Sequence, residues 1–428
     1  MTAAARSAPT SAAQPGHRGA IILMCQHFYP EMISTGMHMT ELAVALTRRG
    51  WLVSTVCAQP SLLLSEANLA VPRAMTYEGI TITRVRTIGS HGGLAGRALF
   101  GLSFLLTSVA RALRLRHGTR GIVLTTNPPF LGLGAWALSR LGVLPYVLIV
   151  YDVYPEIASR LGLLKEGSLM ERLWQRATRM VLNEAAAVVV IGRDMERIIA
   201  AKVRPAQRGR LRLIPNWSDA DAVAPVPRER NAFVTEHQLG DRFVVQYAGR
   251  MGRTHNLEPL VEAAALLRDR PIVFQLIGDG TKRAALLAWC RQRGLTNVSF
   301  LPYQPIERLG EMLSAADLSV VCLERHFTGL SVPSKTYGVM AAGRAILGFL
   351  EPDSEIGRTI IERDCGVVLP NPTADAVARL VTELMADRPK LVRMGANGRA
   401  AYLHDFTLSQ AAERYDACLT DALPAARM

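Results

Sequence analysis

One stretch of the sequence concentrates the residue types that bind phosphate. Residues 329–348 read GLSVPSKTYGVMAAGRAILG, with Ser331, Ser334 and Lys335 grouped around a proline and good helix formers behind them. A proline in the first turn and a glycine just past the end, here Gly343, are typical start and stop signals of a helix. The N–H groups of that helix start, two hydroxyls and an ammonium would share one small volume, which suits a diphosphate. The alternative is one more helix of an α/β domain, with Lys335 on a solvated face.

Two glycine-bearing loops in the same half of the chain have a related character. One follows an apolar run and begins with Gly249 and Arg250, and the other carries Gly278 and Gly280 between a predicted buried strand and a helix. Glycine lets the backbone approach a ligand closely, and the helix behind it begins where an anion is favoured. A GDG sequence alone is a weak signal, but its place between strand and helix favours a second phosphate contact. Arg250 on a solvated face is the alternative.

Two carboxylates follow a predicted strand of the first half. The run 146–151 is followed by Asp152 and, after a turn at Pro155, by Glu156. Carboxylates at the ends of buried strands contribute little to stability and are well placed for reactivity. They are therefore candidates for contact with, or deprotonation of, a reacting hydroxyl. In the alternative, Asp152 caps the next turn and Glu156 is solvated.

The first predicted strand, 20–24, is followed by a long loop and not by the G-x-G-x-x-G fingerprint of dinucleotide-binding folds. Thr35 and Gly36 close that loop and lead into a helix. Without a family resemblance, an ordinary loop with a Ser/Thr cap is at least as good an interpretation as a ligand-binding loop. His27 and His38 could line a cleft, although a lone histidine is more often structural.

Two series of short apolar runs and longer amphipathic runs must position these candidates, and their alternation is typical of parallel sheets covered by helices. At 428 residues, of which 49% are hydrophobic, the chain has material for two cores. The fold class is therefore α/β, with two Rossmann-like doubly wound domains facing across a cleft, where ligands bind beyond the carboxyl ends of the strands. The predicted division is a disordered tail at 1–18, a first domain at 19–214, a linker at 215–241, a second domain at 242–404, and a crossover helix with a tail at 405–428.

The apolar and amphipathic runs give explicit boundaries. Predicted strands are 20–24, 52–57, 80–86, 121–126, 146–151, 186–191 and 211–214 in the first series, and 243–247, 272–277, 298–301, 318–323, 345–349 and 366–369 in the second. Helical periodicity is found at 37–49, at 171–185 and at 408–423, and the last of these could cross back onto the first domain.

The net charge of +13 indicates an anionic partner. No acidic residue lies between Glu78 and Asp152, whereas that interval holds Arg84, Arg86, Arg97, Arg111, Arg114, Arg116, Arg120 and Arg140. The basic apolar run 97–120 has a helical period and is too short to span a bilayer, so it fits lying in an anionic membrane interface. A core helix with arginines at its surface is an equally good interpretation. No helix-turn-helix, zinc or aromatic–basic sheet motif indicates a nucleic-acid partner.

The cysteines and the N-terminal residues indicate the compartment. Six cysteines are scattered without a C-x-x-C pair, which favours reduced core thiols and no structural zinc. The first nineteen residues lack an apolar core segment, so they predict a disordered tail and not a signal peptide. A cytoplasmic protein, peripheral at the inner face of the cytoplasmic membrane, is expected.

The segment 333–345, PSKTYGVMAAGRA, resembles the donor-site helix of the GT-B glycosyltransferases of family 4, and most closely the WbuB-type enzymes of bacterial surface-polysaccharide assembly. Ala345 stands where proline is usual. The resemblance extends over roughly residues 20–405 and includes the PP…D-x-(Y/W)-P-(E/D) pattern around Asp152 and Glu156.

The resemblance also implies roles for individual residues. Catalytic residues would be Asp152 and Glu156, and donor contacts would be Thr35, Gly36, Arg250, Arg253, His255, Gly278, Gly280, Tyr303, Ser331, Ser334 and Lys335. His255 occupies the position of a family lysine, so positive charge there depends on its protonation or falls to Arg253. Tyr303 would lie near the nucleotide base or be a packing aromatic. Many members carry two glutamates where this chain has Leu330 and Gly338, so ribose recognition by a carboxylate at 338 is impossible, although the WbuB-type enzymes share the glycine.

The implied activity is transfer of a hexosyl unit, plain, N-acetylated or deoxy, from a UDP- or GDP-linked sugar to a lipid-linked glycan acceptor in exopolysaccharide or O-antigen assembly. No tightly bound cofactor or metal is expected, because cations and helix N-termini would stabilise the leaving diphosphate. A nucleotide-sugar epimerase of the same fold is one alternative, separated by assaying transfer against epimer formation. A non-catalytic membrane-associated scaffold is the other, favoured if no nucleoside diphosphate raises the melting temperature. The nucleotide, the sugar, the acceptor, the stereochemical outcome and the oligomeric state stay open.

Overall fold

The computed structural model describes residues 18–31, 35–60, 71–89, 93–219 and 222–425. The tail predicted at 1–18 lies outside the described residues except for Arg18. Within them, short buried strands alternate with helices through both halves of the chain.

The first half forms a parallel sheet with one antiparallel edge strand. Its strands are β1 (Gly19–Met24), β2 (Trp51–Cys57), β3 (Ala74–Tyr77), β4 (Ile80–Arg84), β5 (Thr119–Thr125), β6 (Tyr146–Val150), β7 (Ala187–Val190) and β8 (Leu211–Leu213). They lie in the order β3-β4-β2-β1-β5-β6-β7-β8. Every residue of β6 and β7 is buried, as expected for parallel strands covered on both faces. The predicted strands of this series are confirmed, each with small differences at its ends.

Strand β3 is missing from the sequence prediction. It pairs antiparallel with β4 at the sheet edge, and its residues alternate between exposed and half-buried. Glu78 and Gly79 join the two strands with φ angles of 48° and 80°. Two consecutive left-handed residues are typical of a tight hairpin turn, so the Glu-Gly pair is the feature of the sequence that could have predicted this hairpin.

The second half forms a six-stranded parallel sheet. Its strands are β9 (Phe243–Ala248), β10 (Ile272–Ile277), β11 (Val298–Leu301), β12 (Leu318–Cys322), β13 (Ala345–Phe349) and β14 (Gly366–Val368). They lie in the order β11-β10-β9-β12-β13-β14. The strand predictions for this half are confirmed. The carboxyl ends of β9, β10 and β12 therefore meet at one edge, where a doubly wound sheet binds its ligand.

Helices cover both sheets. They are α1 (Thr35–Arg48), α2 (Gly93–Arg114), α3 (Leu131–Arg140), α4 (Glu156–Arg160), α5 (Leu169–Glu184), α6 (Arg193–Lys202), α7 (Ala232–Glu236), α8 (Glu258–Leu266), α9 (Arg283–Gln292), α10 (Leu309–Ser314), α11 (Lys335–Ala341), α12 (Glu355–Glu362), α13 (Ala374–Ala386), α14 (Arg388–Asp405) and α15 (Leu408–Ala422). Short 3-10 helices occur at Pro205–Arg210, Arg228–Arg230, Ile306–Arg308 and Arg325–Phe327. The predicted helices at 37–49, 171–185 and 408–423 correspond to α1, α5 and α15.

The chain crosses between the domains twice, and the two crossings run side by side. Ser218, after β8, pairs in parallel with Thr407, and its backbone N–H donates to the Phe406 carbonyl at 3.2 Å. Helix α15 then packs against α1 and so returns to the first domain, as predicted.

Part of the segment predicted as a linker, 215–241, packs on the second domain. Arg228 forms an ion pair with Asp317 at 3.5 Å, and the Asn231 amide donates to the Glu311 carbonyl at 2.8 Å. These contacts tie the later half of the segment to α10 and to the start of β12. The Val226 N–H also donates to the Ser314 hydroxyl at 3.0 Å, and Arg399 donates to the Val223 carbonyl at 3.2 Å, so a hinge would use the residues before Val223. The predicted domain boundaries themselves stay a prediction.

Helix α2 lies on the first domain with one face outward. Phe104, Ser108 and Ala112 are buried, whereas Leu102 and Leu106 are 55% and 60% exposed. In the part of the chain that the structure describes, the 20 residues of α2 from 95 to 114 are long and apolar enough to cross a membrane by length and composition. The expectation that this segment is too short is therefore wrong, because the helix begins before residue 97 and reaches about 30 Å.

The return of α15 to the first domain depends on a buried hydrogen bond. The Trp51 indole N–H donates to Asp416 Oδ1 at 2.8 Å, and Arg18 lies 3.3 Å from the other carboxylate oxygen. Asp416→Ala should lower the free energy of unfolding by about 1–3 kcal/mol, because the indole N–H would be buried without an acceptor. Urea unfolding followed by fluorescence measures the loss. Asp416→Asn keeps an acceptor oxygen and should lose less than half as much, and an equal loss in both variants would contradict this role.

Candidate active site

Two glycine loops of the second domain touch each other at the carboxyl ends of β9 and β10. Gly249 and Gly278 have φ angles of 139° and 126°. A Cβ on Gly278 would lie 2.2 Å from the Gly249 carbonyl oxygen, and one on Gly280 would lie 2.4 Å from the Met251 carbonyl oxygen. No side chain fits at 278 or 280, so glycine is required for the loops to close on each other.

Lys335 reaches this pair of loops from the start of α11. Its Nζ lies 3.1 Å from the place that a Cβ on Gly249 would take, and 3.8 Å from the centre of the Tyr247 ring. The ammonium is buried and has no hydrogen-bond partner among the described residues. Burial lowers the pKa of Lys335 to about 8, and the nearby Cys322 opposes that shift. A buried cation without a partner is costly, so the site is suited to an anion that would complete it.

Helix α11 begins and ends where the sequence predicts. Gly343 follows its last residues with a φ of 66°, and the Gly343 N–H donates to the Met340 carbonyl at 3.0 Å. At its start the Ser334 side chain makes no capping bond, whereas the Thr336 hydroxyl donates to the Pro333 carbonyl at 2.9 Å. The Ser334 hydroxyl is therefore not used as a cap, and it stands next to Lys335 in the chain.

Arg250 and Tyr303 stand beside the two glycine loops. Arg250 follows Gly249 directly and is exposed, as is Arg253. A ring carbon of Tyr303 lies 3.2 Å from the place of a Cβ on Gly278, and the residue is 39% exposed. Burial raises the pKa of Tyr303, with a backbone hydrogen bond and the Arg250 charge opposing. The structure thus brings Arg250, Gly278, Tyr303 and Lys335 to one edge of the sheet.

His255 is uncharged at this edge. Burial lowers its pKa to about 2, and the ammonium groups of Lys335 and Lys282 act in the same direction. Its Nδ1 lies 3.1 Å from the Thr254 hydroxyl. With this pKa, His255 is neutral across the physiological pH range. Its contact with a donor, like that of Arg253, stays a prediction.

Lys282 is a cation that the sequence analysis missed. Its Nζ donates to the His255 carbonyl at 2.8 Å, to Glu258 at 3.1 Å and to Glu324 at 3.4 Å. The only signal in the sequence was its place directly after the GDG loop. Unlike Lys335, this ammonium is already neutralised by two carboxylates.

Asp152 stands on the opposite wall, after β6, and contacts the second domain directly. It forms an antiparallel bridge with Ser331, and the Val153 N–H donates to the Leu330 carbonyl at 2.9 Å. Burial raises the pKa of Asp152 to about 6, with a hydrogen bond from the Ser331 side chain opposing. The backbone N–H of Asp152 donates to the Thr126 hydroxyl at 3.2 Å. Ser331, predicted as a donor contact, therefore bonds the carboxylate from the first domain.

Glu156 is held elsewhere. It is the first residue of α4, and its Oε1 is ion-paired with Lys202 of α6. Lys202 is almost fully buried, so this pair fixes α4 on α6 within the first domain. The structure brings Asp152, but not Glu156, into contact with the segment that carries Lys335.

Thr35 and Gly36 begin α1, beside the carboxyl end of β1. A Cβ on Gly36 would lie 2.3 Å from the Glu31 carbonyl oxygen, so glycine is needed there. The His27 ring bonds the Glu31 carboxylate at 2.8 Å, and His38 packs edge-on against Trp217 at 5.1 Å. Strand β1 is separated from β6 only by β5, so Thr35, Gly36 and Asp152 share one sheet edge. The contact of Thr35 and Gly36 with a donor stays a prediction.

Neither position of the missing glutamate pair can provide a carboxylate. Leu330 is buried and its carbonyl is bonded to Val153. Gly338 faces α10 and the linker, because a Cβ there would lie 3.3 Å from Leu313 Cδ1 and 4.0 Å from Ser218 Oγ. Among the described residues no group of three His, Cys, Asp or Glu side chains could hold a metal ion.

A second contact joins the two walls through helix starts. The Arg193 N–H at the start of α6 donates to Glu355 Oε2 at 2.7 Å, and the Glu355 N–H at the start of α12 donates to Asp194 Oδ2 at 3.1 Å. Arg193 also pairs with Glu362 at 2.8 Å. Each helix start thus receives a carboxylate from the other domain, a pairing that no spacing in the sequence signals.

Comparisons with known proteins agree with this arrangement. Residues 35–217 match the model of the glycosyl transferase 4-like domain, and residues 228–401 match that of the glycosyl transferases group 1. A Pseudomonas aeruginosa protein that bears the name glycosyltransferase WbjE is 32% identical over 319 residues, which are 74% of this chain and 78% of that protein. The chain belongs to glycosyltransferase family 4. An Escherichia coli K12 protein named for colanic acid biosynthesis, glycosyl transferase WcaI, is 26% identical over 78% of this chain and 83% of its own.

Solved structures show the fold of this glycosyltransferase. Sucrose-phosphate synthase from Thermosynechococcus elongatus superposes with a TM-score of 0.74 at 18% identity, over 93% of this chain and 97% of its own. The lipopolysaccharide glycosyltransferase WaaG gives 0.68 at 13% identity, over 92% and 98%. Anabaena HepE with bound UDP-glucose gives 0.71 at 14% identity, over 94% and 99%. The predicted GT-B fold is confirmed.

Replacing the unpartnered Lys335 should change stability and nucleotide binding in opposite directions. Lys335→Met should raise the free energy of unfolding at pH 7 by about 1–3 kcal/mol, because it removes a buried charge with a depressed pKa. The same change should weaken binding of the nucleoside diphosphate, UDP or GDP as chosen by its thermal shift, about tenfold or more, as isothermal titration would show. Lys282→Met is the matched control and should not stabilise, because it leaves Glu258 and Glu324 without their cation. Unchanged affinity of the Lys335 variant for that nucleoside diphosphate would contradict the phosphate assignment.

The affinity of the site for a nucleoside diphosphate should fall at alkaline pH. The Lys335 ammonium of the empty site loses its proton above pH of about 8, and a bound diphosphate holds the proton on. The affinity for the nucleoside diphosphate should therefore fall about twofold from pH 7 to 8 and about fivefold from pH 8 to 9. In Lys335→Met the affinity should be flat over that range.

Proposed function

We propose that this glycosyltransferase moves a hexosyl unit, plain, N-acetylated or deoxy, from a nucleoside-diphosphate sugar to a lipid-linked glycan acceptor in exopolysaccharide or O-antigen assembly. The observation that carries the proposal is the buried, unpartnered ammonium of Lys335 above Gly249. Such a cation, together with the exposed Arg250, suits the diphosphate that leaves during transfer.

The names of similar proteins support the donor and acceptor classes. The Anabaena structures hold UDP and UDP-glucose. A Mycolicibacterium smegmatis relative, 25% identical over 229 residues, is named as a GDP-mannose-dependent phosphatidylinositol monomannoside mannosyltransferase. Both nucleotides therefore stay candidates, and a lipid-linked acceptor has a precedent in that name.

The chemistry assigns separate tasks to the two walls. The acceptor hydroxyl oxygen bonds to the anomeric carbon of the donor while the bond from that carbon to the diphosphate oxygen breaks. Lys335 and Arg250 stabilise the charge that develops on the leaving nucleoside diphosphate. The Asp152 carboxylate accepts the hydroxyl proton, and its pKa of about 6 leaves it mostly ionised at pH 7. Glu156 has no task here, because it is already paired with Lys202.

Asp152→Asn tests the assignment of the proton acceptor. The amide keeps the shape of the carboxylate but cannot take a proton, so kcat should fall about 10²- to 10⁴-fold while UDP affinity stays unchanged. Release of nucleoside diphosphate that depends on added acceptor measures the rate, with UDP- and GDP-sugars screened first by thermal shift. In the unaltered enzyme, kcat should fall as the pH drops through about 6, where Asp152 is protonated.

Glu156→Gln is the comparison variant for that experiment. It breaks the ion pair with Lys202, so it should lower stability and leave kcat within about threefold. A full rate in Asp152→Asn, or an equal loss in both variants, would exclude Asp152 as the proton acceptor. Conversion of the donor sugar to an epimer without transfer would refute the proposed reaction itself.

We further propose that helix α2 holds the enzyme on the anionic inner face of the cytoplasmic membrane. Leu99, Leu102 and Leu106 are exposed and lie on one face at helical spacing. Arg114 in the last turn of the helix is exposed and supplies positive charge at its edge, whereas Arg111 donates to Thr83 of the sheet at 3.2 Å. An apolar stripe with arginine at its margin suits a helix that lies in the lipid interface.

Vesicle binding tests this surface. Replacing Leu102 and Leu106 together by glutamate should weaken sedimentation with phosphatidylglycerol-containing vesicles by about tenfold or more, since apolar burial is lost and like charge is added. UDP affinity should be unchanged. Leu266→Glu alters an equally exposed leucine of the second domain and serves as the control. Equal binding by all three proteins would remove α2 from the membrane contact.

A further inference from the structure

A small apolar cavity lies in the first domain directly beside Asp152. It has a volume of about 40 Å³ and is bounded by α3, α5 and the carboxyl ends of β5 and β6. Its wall is apolar and aromatic apart from Thr126, Asp152 and Thr178. Apart from Asp152, the residues that line this cavity have no part in the donor site or in the proposed chemistry.

Three aromatic rings form its outer wall. The Trp174 ring stacks on Tyr154 with 5.6 Å between centroids, and its centroid lies 4.6 Å from that of Phe130. Phe130 is 41% exposed, so this wall borders solvent, whereas Leu148 and Val150 are buried at the inner side. The cavity can therefore be entered by a ligand and is not an enclosed packing defect.

The volume limits what can enter. A single water needs about 10–15 Å³ by this measure, so the cavity holds about three groups of water or methyl size. A whole sugar ring with its hydroxyls is too large, whereas a substituent on a ring fits. The apolar wall favours a methyl-bearing substituent over a hydroxyl, which would lose its hydrogen bonds to water.

The polar groups in the wall further restrict which substituent can bind in the cavity. The Thr126 hydroxyl oxygen already accepts the backbone N–H groups of Tyr151 and Asp152, each at 3.2 Å. Its own hydrogen remains to be donated, and a carbonyl oxygen entering the cavity could accept it. An acetamido group has both parts, a methyl for the aromatic wall and a carbonyl for the threonine.

The position of Asp152 in the cavity wall indicates which part of the acceptor carries this acetamido group. Asp152 both lines the cavity and, under the proposed function, contacts the reacting hydroxyl of the acceptor. A substituent on the neighbouring carbon of the same sugar ring lies within a few ångströms of that hydroxyl. The lipid of a lipid-linked sugar is farther away from Asp152, since the sugar ring stands between them.

We infer that the cavity between α3 and α5 is a specificity pocket for an acetamido group on the acceptor sugar, adjacent to the hydroxyl that Asp152 contacts. The sugar at the non-reducing end of the acceptor is then an N-acetylated hexosamine. The identity of the occupant rests on the proposed function, whereas the ability of the cavity to take an acetyl group does not.

Ligand-observed NMR tests the pocket without requiring turnover. The methyl glycoside of N-acetylglucosamine is added to the full chain with UDP, and saturation transfer to each ligand proton is measured. The acetyl methyl protons should receive the largest saturation. Ala177→Phe fills the cavity from α5 and should reduce that signal about threefold or more, since the methyl group can no longer be buried.

Two further variants keep the test decisive. Ala201→Phe enlarges an exposed alanine of α6 and should leave the acetyl signal unchanged. Trp174→Ala removes the aromatic wall and should also reduce the signal, which covers the case that Ala177→Phe fails to fold. Circular dichroism and the shift in Tm on adding UDP report whether each variant is intact.

The outcomes separate this inference from the proposed function. An acetyl signal no larger than that of the ring protons, or one unaffected by both pocket variants, overturns the pocket. Farnesol is added in a second experiment in place of the glycoside. If Ala177→Phe loses the farnesol signal but keeps the acetyl signal, the pocket assignment is also overturned, in favour of an apolar chain as the occupant. Absence of sugar transfer to any acceptor would refute the proposed function and leave the NMR result standing.

Discussion

The buried ammonium of Lys335 is the interaction on which the rest of the site depends. A cation taken out of water without a hydrogen-bond partner costs free energy, and the ring of Tyr247 and the nearby Cys322 compensate part of that cost here. The ammonium has room at this place because Gly249 has no side chain, and a Cβ there would lie 3.1 Å from Nζ. Stability is thus given up for a preorganised positive charge, which a diphosphate can use without further rearrangement.

The same segment ties this charge to the opposite wall. Ser331 lies four residues before Lys335 in the chain and is hydrogen-bonded to Asp152 across the cleft. The cation for the leaving group and the carboxylate for the incoming hydroxyl are therefore linked through one short stretch of backbone. The reciprocal contacts of Arg193 and Glu355 hold the two walls in place a little farther along. An opening that separated these segments would have to break both sets of contacts.

Departures from the family pattern become understandable at this edge. The family lysine is replaced by His255, and burial beside two ammonium groups keeps that histidine neutral. Lys282 lies against the His255 carbonyl, but two carboxylates already neutralise it. Lys335 is thus the one ammonium among these side chains without an anionic partner. The glutamate missing at Gly338 has no replacement there, because that position faces α10 and the linker.

The sequence by itself determined the two parallel sheets, the start and end of α11, and the glycine loops, because apolar periodicity and turn chemistry are local properties. It also supplied Lys335, Arg250 and Asp152 as candidates through their residue types. It could not determine that Glu156 pairs with Lys202 or that Ser331 bonds Asp152, because both contacts join segments distant in the chain. Tertiary structure alone decided the charge state of each group, since a pKa follows from the burial and the neighbours that packing brings together.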